Sequence, residues 1–183
     1  MSSSELAFAR RSPARHLRGA LIAAAALLAL AGCTVQPLYG TAPSGQAVPT
    51  TIARIAIAPV DTRVGQQVRN ALIFKLDGGN EPSSPTYTMA LIVATAQTAL
   101  GVTQIEAAPS YSLTVSVAYE IKSVATGQVV LRGTSRGTAS YNRTMQEYAN
   151  TRAELDAEDR AAAVAAEDVR LRLAAAAAKG TLQ

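Results

Sequence analysis

Residues 111–122 read YSLTVSVAYEIK, and apolar and polar side chains alternate along the whole stretch. Successive side chains of a β-strand point to opposite faces of a sheet, so a period of two gathers one residue type on each face. The apolar set consists of Tyr111, Leu113, Val115, Val117, Tyr119 and Ile121. The stretch therefore predicts a strand with one buried and one solvated face.

A second strand is predicted over residues 129–141, close enough to form a hairpin with the first. Residues that face each other across a hairpin point to the same side, so the polar sets of the two strands should align. A three-residue loop, 126–128, gives this alignment and pairs Lys122 near Arg132. The inner side of the second strand carries small residues, which leave room for a packed helix: Gly133, Gly137 and Ala139.

The solvated face of this hairpin is predicted to carry a basic cluster of Lys122, Arg132 and Arg136, tempered by Glu120. Ammonium and guanidinium groups bind phosphate and carboxylate oxygens through charge-assisted hydrogen bonds. The cluster is therefore a candidate lipid-binding site. An ordinary solvated sheet face explains the same residues without any ligand.

Two further strands and a helix are predicted upstream of the hairpin. Residues 52–60 are rich in isoleucine and alanine and form a segment short enough for a strand, and Asp61 or Thr62 then offers an oxygen to cap a helix. The helix has an apolar stripe at steps of four, typical of a core-facing helix and also open to a binding role: Val64, Val68, Leu72 and Leu76. Gly78 and Gly79 end it. Residues 87–100 read as a strand that is covered on both faces over part of its length.

A long helix is predicted after the hairpin. Thr151 and Glu154 have the spacing of a capping box, and the chain from there to Ala178 is rich in alanine, leucine, arginine and glutamate. Its narrow apolar seam suits close packing on the sheet, and a coiled-coil arm is the alternative. The element order βαβββα predicts an α+β fold, a four-stranded, mostly antiparallel sheet with two helices on one face.

The N-terminal segment has the layout of a bacterial export signal, with four arginines, an apolar run and the stretch Leu30-Ala31-Gly32-Cys33. The apolar run is about 13 residues long, whereas a membrane-spanning helix needs about 20. We therefore expect cleavage before Cys33 and diacylation of its thiol. A free or buried thiol beside an ordinary cleavage site is the alternative.

These features predict three regions: a lipoprotein signal peptide at 1–32, a lipidated flexible tether at 33–51 and a single domain at 52–183. The tether is rich in proline, glycine and serine, a composition that disfavours regular structure. The domain is long enough for one core.

Removing the signal changes what the composition allows. The full chain has 17 basic and 13 acidic residues, and the cut leaves 13 and 12, so the basic pI carries no argument for nucleic-acid binding. The only histidine, His16, leaves with the signal, and lipid takes the only cysteine. A mature chain without either side chain has no imidazole base, thiolate nucleophile or Cys/His metal site. No glycine-rich phosphate loop is present either, so we expect no cofactor and no enzymatic activity.

One set of residues is similar to a known family: Cys33, Gln36-Pro37-Leu38-Tyr39-Gly40, Tyr119, Thr126-Gly127, Gly133, Ser140-Tyr141-Asn142 and Tyr148-Ala149. On these residues the chain resembles the LptE family, the lipopolysaccharide-assembly lipoproteins of Gram-negative outer membranes, and most closely its alphaproteobacterial type. The resemblance implies a lipid-anchored domain on the periplasmic side of the outer membrane. It also implies a partner, the β-barrel translocon LptD, which the lipoprotein plugs and helps to assemble while lipopolysaccharide passes to the outer leaflet.

Two other functions remain open at this point. A periplasmic auxiliary lipoprotein of an ABC-type lipid or solute transporter would share the tether and a small α+β domain. A carboxylate-dependent hydrolase would need two acidic residues, such as Glu120 and Asp156, to converge in a pocket.

Overall fold

The computed structural model describes Gly45, residues 47–100 and residues 110–182. The elements are α1 (Val48–Ile52), β1 (Ile55–Ile57), α2 (Arg63–Asp77), β2 (Tyr87–Leu100), β3 (Ser110–Ser123), β4 (Val129–Asn142) and α3 (Glu147–Ala178). One sheet has the order β1-β2-β3-β4, in which β1 is parallel to β2 and the other pairs are antiparallel. The predicted α+β class and mostly antiparallel sheet are confirmed, with a short helix added before the predicted order.

The first helix, α1, lies at the end of the segment predicted as a tether. Val48 and Ile52 are buried, and Pro49 stands in the first turn, where its missing N–H costs no hydrogen bond. The packed part of the chain therefore begins before residue 52. The strand predicted over 52–60 is reduced to Ile55–Ile57, since α1 takes its first residue and Pro59 follows its end. The predicted signal peptide and Cys33 lie outside the described residues.

The second helix, α2, forms as its sequence predicts. The Thr62 side chain accepts a hydrogen bond from the Gly65 N–H at 3.1 Å, which caps the first turn. Gly78 ends the helix with a φ of 64°, a left-handed conformation that favours glycine. All four residues of the predicted stripe are buried: Val64, Val68, Leu72 and Leu76.

The two long strands of the hairpin, β3 and β4, carry the predicted alternation into the structure. Leu113, Val115 and Val117 are each at most 2% exposed, and their side chains meet those of the two helices in one core. The face of β2 on the same side contributes Tyr87 and Met89. The other face of β2 is exposed, so the prediction that both faces are covered is wrong for the described strand.

The turn between β3 and β4 is not the predicted three-residue loop. The Ser123 N–H donates to the Gln128 carbonyl at 2.9 Å, so the loop is 124–127. An even loop would set the two strands out of phase, but the register shifts by one and leaves Val130 as the extra residue of a β-bulge. The polar faces are thereby realigned. Arg132 lies opposite Glu120, whereas the three-residue loop predicts a position near Lys122.

The long helix α3 packs directly on the backbone of β4. A Cβ atom on Gly137 would lie 2.0 Å from the Ala161 carbonyl oxygen, so only glycine fits there. Two residues earlier, the Ser135 hydroxyl donates to the Ala165 carbonyl at 2.8 Å. The space over Gly133, which we expected the helix to use, is filled instead by the ring of Tyr119. The sheet-packed helix excludes the coiled-coil alternative.

The start of α3 differs from the predicted capping box. The helix begins at Glu147, and the Thr151 hydroxyl donates to the Glu147 carbonyl at 3.2 Å from inside the helix. In the first turn of the helix, the Asn150 side chain accepts a hydrogen bond from the Thr144 N–H at 2.6 Å and donates one to the Thr144 carbonyl at 2.9 Å. These bonds hold residues 144–150 in a local loop, and the helix begins at Glu147, one turn before Thr151. The capping box therefore does not start the helix. No helix within the described ranges is long and apolar enough to cross a membrane.

Ion pairs join α2 to α3 along their solvent-exposed sides. Arg63 donates to Asp159 at 3.1 Å, and Lys75 donates to Glu167 at 2.9 Å. Arg170 also donates to Glu167, at 2.6 Å. Hydrogen bonds from Arg170 and Lys75 lower the pKa of Glu167 to about 2. The carboxylate is therefore part of the contact between the two helices.

We predict that Gly137→Ala lowers the free energy of unfolding by about 3 kcal/mol, because the added methyl group would overlap the α3 backbone. Urea unfolding of the soluble chain that begins after Cys33 measures it. Ala94→Val, which adds bulk on the exposed face of the same sheet, is the control and should stay within about 0.5 kcal/mol of wild type. Equal stability of Gly137→Ala and wild type would contradict the close packing of α3.

We also predict that Glu167→Gln is destabilising near neutral pH and less so in acid. The folded-state pKa is lowered, so the stabilisation is complete above the unfolded pKa of about 4.5 and disappears as the pH falls towards 2. Because the side chain is 38% exposed, water screens the pair and the effect is about 1 kcal/mol. Urea unfolding at pH 6 and pH 3 compares the variants. Asp156→Asn, in an exposed pair, is the control, and a gap between wild type and Glu167→Gln that is equal at both pH values would exclude this role.

Candidate functional site

The site lies on the face of the sheet that no described helix covers. On β3, the residues that alternate with the core point to this face, and Glu120 and Lys122 lie near the end of the strand. The bulge in β4 brings Arg132 opposite Glu120 and Arg136 opposite Ser116. The structure thus places all three predicted basic residues on one face of the β3–β4 hairpin.

Glu120 lies between two of these basic groups. Its carboxylate accepts from Arg132 Nε at 2.7 Å and lies 3.1 Å from Lys122 Nζ. These two hydrogen bonds hold the pKa of Glu120 below its usual value, Arg132 having the larger effect. The carboxylate therefore stays ionised and fixes the position of both cations, while the Lys122 and Arg132 side chains remain 54% and 70% exposed to solvent.

Arg136 has a different environment from the other two. Within the part of the chain that the structure describes, no carboxylate lies within ion-pair distance of its guanidinium. The side chain lines a depression together with Ala94 and Ser116. Three cations and one acid on this face leave a net positive charge, and Arg136 is the cation most available to an incoming anion.

An apolar floor lies next to the cluster. A second open depression, about 550 Å³ in volume, is lined by Arg132 and Glu120 at one side and by small apolar side chains of β2 and β3. Ile92 is 75% exposed there, beside Ala90 and Ala118. A cationic rim beside an apolar surface suits an amphiphile that carries anionic head groups and hydrocarbon chains.

The floor is the part of the site that sequence analysis missed. The sequence predicts Ala90, Ile92 and Ala94 to lie on one of two covered faces of β2, because apolar residues on both sides of a strand indicate burial. The structure exposes them. The same residues carry a signal of exposure, since most apolar side chains on this face of β2 are alanines, which would bury little area beneath a helix.

Glu120 and Asp156 do not converge in a pocket. Glu120 lies on the helix-free face, whereas Asp156 lies on α3, on the other side of the sheet, and pairs with Arg160 at 2.8 Å. The convergence that a carboxylate-dependent hydrolase needs is therefore missing at these positions. Across residues 47–100 and 110–182, no three metal-ligating side chains are grouped to hold an ion.

Three solved structures similar to this chain are described as lipoproteins. A lipoprotein from Caulobacter crescentus CB15 aligns with a TM-score of 0.62 and 25% identity, over 73% of this chain and 96% of that one. A minor lipoprotein from Acinetobacter baumannii aligns with a TM-score of 0.48 and 12% identity, over 66% of this chain and 88% of that one. Rare lipoprotein B from Shewanella oneidensis gives 0.49 and 13%, over 70% and 96%. A search of curated proteins finds no significant match.

The family comparison covers most of the domain. Residues 51–173 match the model of the LptE family, described as lipopolysaccharide-assembly. The matched range runs from α1 through the sheet to the last third of α3, and so includes the whole basic face. The resemblance identified from the sequence is confirmed at the level of the family, whose members are not enzymes. This chain belongs to the LptE family of lipopolysaccharide-assembly lipoproteins.

Proposed function

We propose that the chain is an outer-membrane lipoprotein, anchored through Cys33, that plugs and helps to assemble the β-barrel translocon LptD and helps to deliver lipopolysaccharide to the outer leaflet. Membership of the LptE family supports this role. The observation that carries the lipid part is the helix-free face, where Lys122, Arg132 and Arg136 stand beside an apolar floor. Lipopolysaccharide combines phosphate groups with acyl chains, which match the two parts of the face.

The cluster acts as a fixed set of donors. Glu120 holds Lys122 and Arg132 in place, so less side-chain entropy is lost when an anion binds. Arg136 supplies the cation that no described acid neutralises. The acyl chains lie along Ile92 and its alanine neighbours, where their contact removes exposed apolar surface from water.

The anchor and the dimensions of the domain support the placement in a translocon. A two-chain lipid anchor holds a protein stably on a bilayer, and the 14 residues from Thr34 to Ala47 reach at most about 50 Å. The 32-residue α3 is about 48 Å long, and β2, β3 and β4 each have 14 residues. A domain of this length, tethered at its first residue, suits the lumen of a large β-barrel, since wide barrels leave a lumen that a plug fills. The alphaproteobacterial subtype stays a prediction.

We predict that changing Lys122, Arg132 and Arg136 together to Gln weakens binding of purified lipopolysaccharide about tenfold and leaves the fold intact. The binding loss follows from removing three phosphate donors. The fold survives because the ion pairs of these side chains are exposed to solvent, where such pairs contribute little to stability. Titration with lipopolysaccharide gives the affinity, and thermal unfolding gives the stability.

The matched control changes Arg152 and Arg160 of α3, and Lys179 directly after its end, to Gln. The control removes the same charge, and one exposed ion pair, from the other side of the sheet. Its affinity for lipopolysaccharide should stay near the wild-type value. If both triple variants lose affinity equally, net charge rather than this face binds the lipid. If neither loses it, the cluster has no role.

We predict that the full lipoprotein, crosslinked in outer membranes and purified under denaturing conditions, carries a β-barrel subunit identified by mass spectrometry as LptD. The expectation follows from the plug role. Cys33→Ala, which cannot be acylated, should lose most of this crosslink, because the domain is no longer held at the membrane. Recovery of an ATPase and permease without any barrel would contradict the role and favour the transporter alternative.

A further inference from the structure

One edge of the sheet has no described strand beside it over most of its length. The first strand, β1, pairs with β2 only at Tyr87–Met89, and one further bond joins the Ala58 N–H to the Met89 carbonyl at 2.9 Å. From Ala90 to Leu100, the described residues offer β2 no neighbour on this side. We call Ala90–Leu100 the open edge.

The hydrogen bonds at β1 show which groups of the open edge point outward. The Tyr87 N–H donates to the Arg54 carbonyl, and the Met89 carbonyl accepts from Ala58, so odd-numbered residues of β2 aim both backbone groups away from β3. This direction alternates along a strand. The outward residues of the open edge are Leu91, Val93, Thr95, Gln97 and Ala99. Their N–H and C=O groups form a template for another strand.

The opposite edge of the same sheet is protected, and the open edge is not. The β4 strand carries Arg132 and Arg136 and is bent by the bulge at Val130, all features that discourage pairing with another chain. Residues 90–100 read ALIVATAQTAL, with no charge, no proline and no bulge in the pairing with β3. The difference within one sheet leaves the open edge as the one suited to pairing with another strand.

The open edge also has an uncovered shelf beside it. Thr95 and Gln97 point to the helix-bearing face, yet both are exposed, because the helices do not extend over this part of β2. Next to them the rings of Tyr111 and Tyr141 stack with centroids 5.6 Å apart, and Gln97 donates to the Tyr141 hydroxyl. An added strand would place its alternate side chains on this shelf.

We propose that the open edge binds an extended, uncharged segment of a partner polypeptide, with apolar side chains at alternate positions, as a fifth strand of the sheet. Backbone hydrogen bonds supply the affinity, and the shelf selects apolar side chains. A charged segment would be desolvated against an edge that offers no counter-charge. The inference does not depend on the lipid contact proposed above, because it uses the outward backbone groups of β2, whereas the lipid contact uses the basic residues and the side chains of Ala90 and Ile92 on the helix-free face.

A second copy of this chain fits the edge less well. Antiparallel pairing of two open edges about their centre at Thr95 sets Leu91 opposite Ala99 and Val93 opposite Gln97. The larger apolar side chains would then meet small or polar ones, and cross-strand pairs of that kind contribute little. A partner strand with apolar residues at those positions buries more surface.

Hydrogen exchange of the full lipidated protein tests this proposal. We expect the outward amides, those of residues 91, 93, 95, 97 and 99, to exchange at least tenfold more slowly in native envelope membranes than in the same protein purified in detergent. Thr95→Pro removes an outward N–H without removing a bond to β3, and Thr95→Lys adds a charge without changing the backbone. Both should abolish the slow exchange, whereas Thr95→Val, which keeps the shape and the N–H, should retain it. Unchanged exchange between β3 and β4 shows that each variant is folded.

A photo-crosslinker at Ala96 in the full chain identifies the class of occupant. We expect covalent products with a polypeptide other than this chain in envelope membranes. Thr95→Pro should remove these products and leave any products from the same crosslinker at Ser140, on the protected strand, unchanged. Equal exchange in membranes and detergent overturns the proposal, as does slow exchange that survives both Thr95→Pro and Thr95→Lys. Products only with lipid, or only with a second copy, also overturn it.

Discussion

The contact on which the other features depend is the packing of α3 against the backbone of β4 at Gly137. There the helix approaches closely enough that a single methyl group would overlap the Ala161 carbonyl, and Ser135 adds a hydrogen bond to Ala165. Alanine buries little area per residue, so an alanine-rich helix contributes a core only by close approach over a long length. The 32 residues of α3 supply that length. The hydrophobic core is therefore concentrated on one side of the sheet.

A single helical layer has a direct consequence for the other face. No described element covers it, so its residues are selected for solvent or for a ligand and not for burial. Most side chains on this face are small or hydroxylated, and the main exceptions are Ile92, Leu100 and the charged residues around Glu120 and at Arg136. Because the strand register fixes where Arg132 and Arg136 lie, the bulge at Val130 decides the geometry of the basic cluster. The packing of α3 on β4 and the bulge at Val130 thus determine the geometry of a site on the opposite surface.

Much of the fold follows from local patterns. The alternation of residues 111–122, the Thr62 cap and the stripe of α2 depend on neighbours in sequence, and the structure confirms each of them. The failures depend on tertiary context. The bulge is a compromise between loop length and face alignment, and no residue near Val130 requires it. A loop around Asn150 starts the long helix before the predicted capping box at Thr151. The exposure of β2 depends on how far the helices extend over the sheet.

The candidate site shows the same division between local and tertiary information. Its three basic residues were found by side-chain alternation alone, but the pairing of Glu120 with both Lys122 and Arg132 required the true register. With that register, one carboxylate orients two cations, and Arg136, near Ala94, is left to attract an anion. Neutralising Glu120 would therefore increase the positive charge but release two side chains. A preorganised cluster binds better than its charge alone indicates, because the entropy of ordering the donors is lost during folding and not during binding.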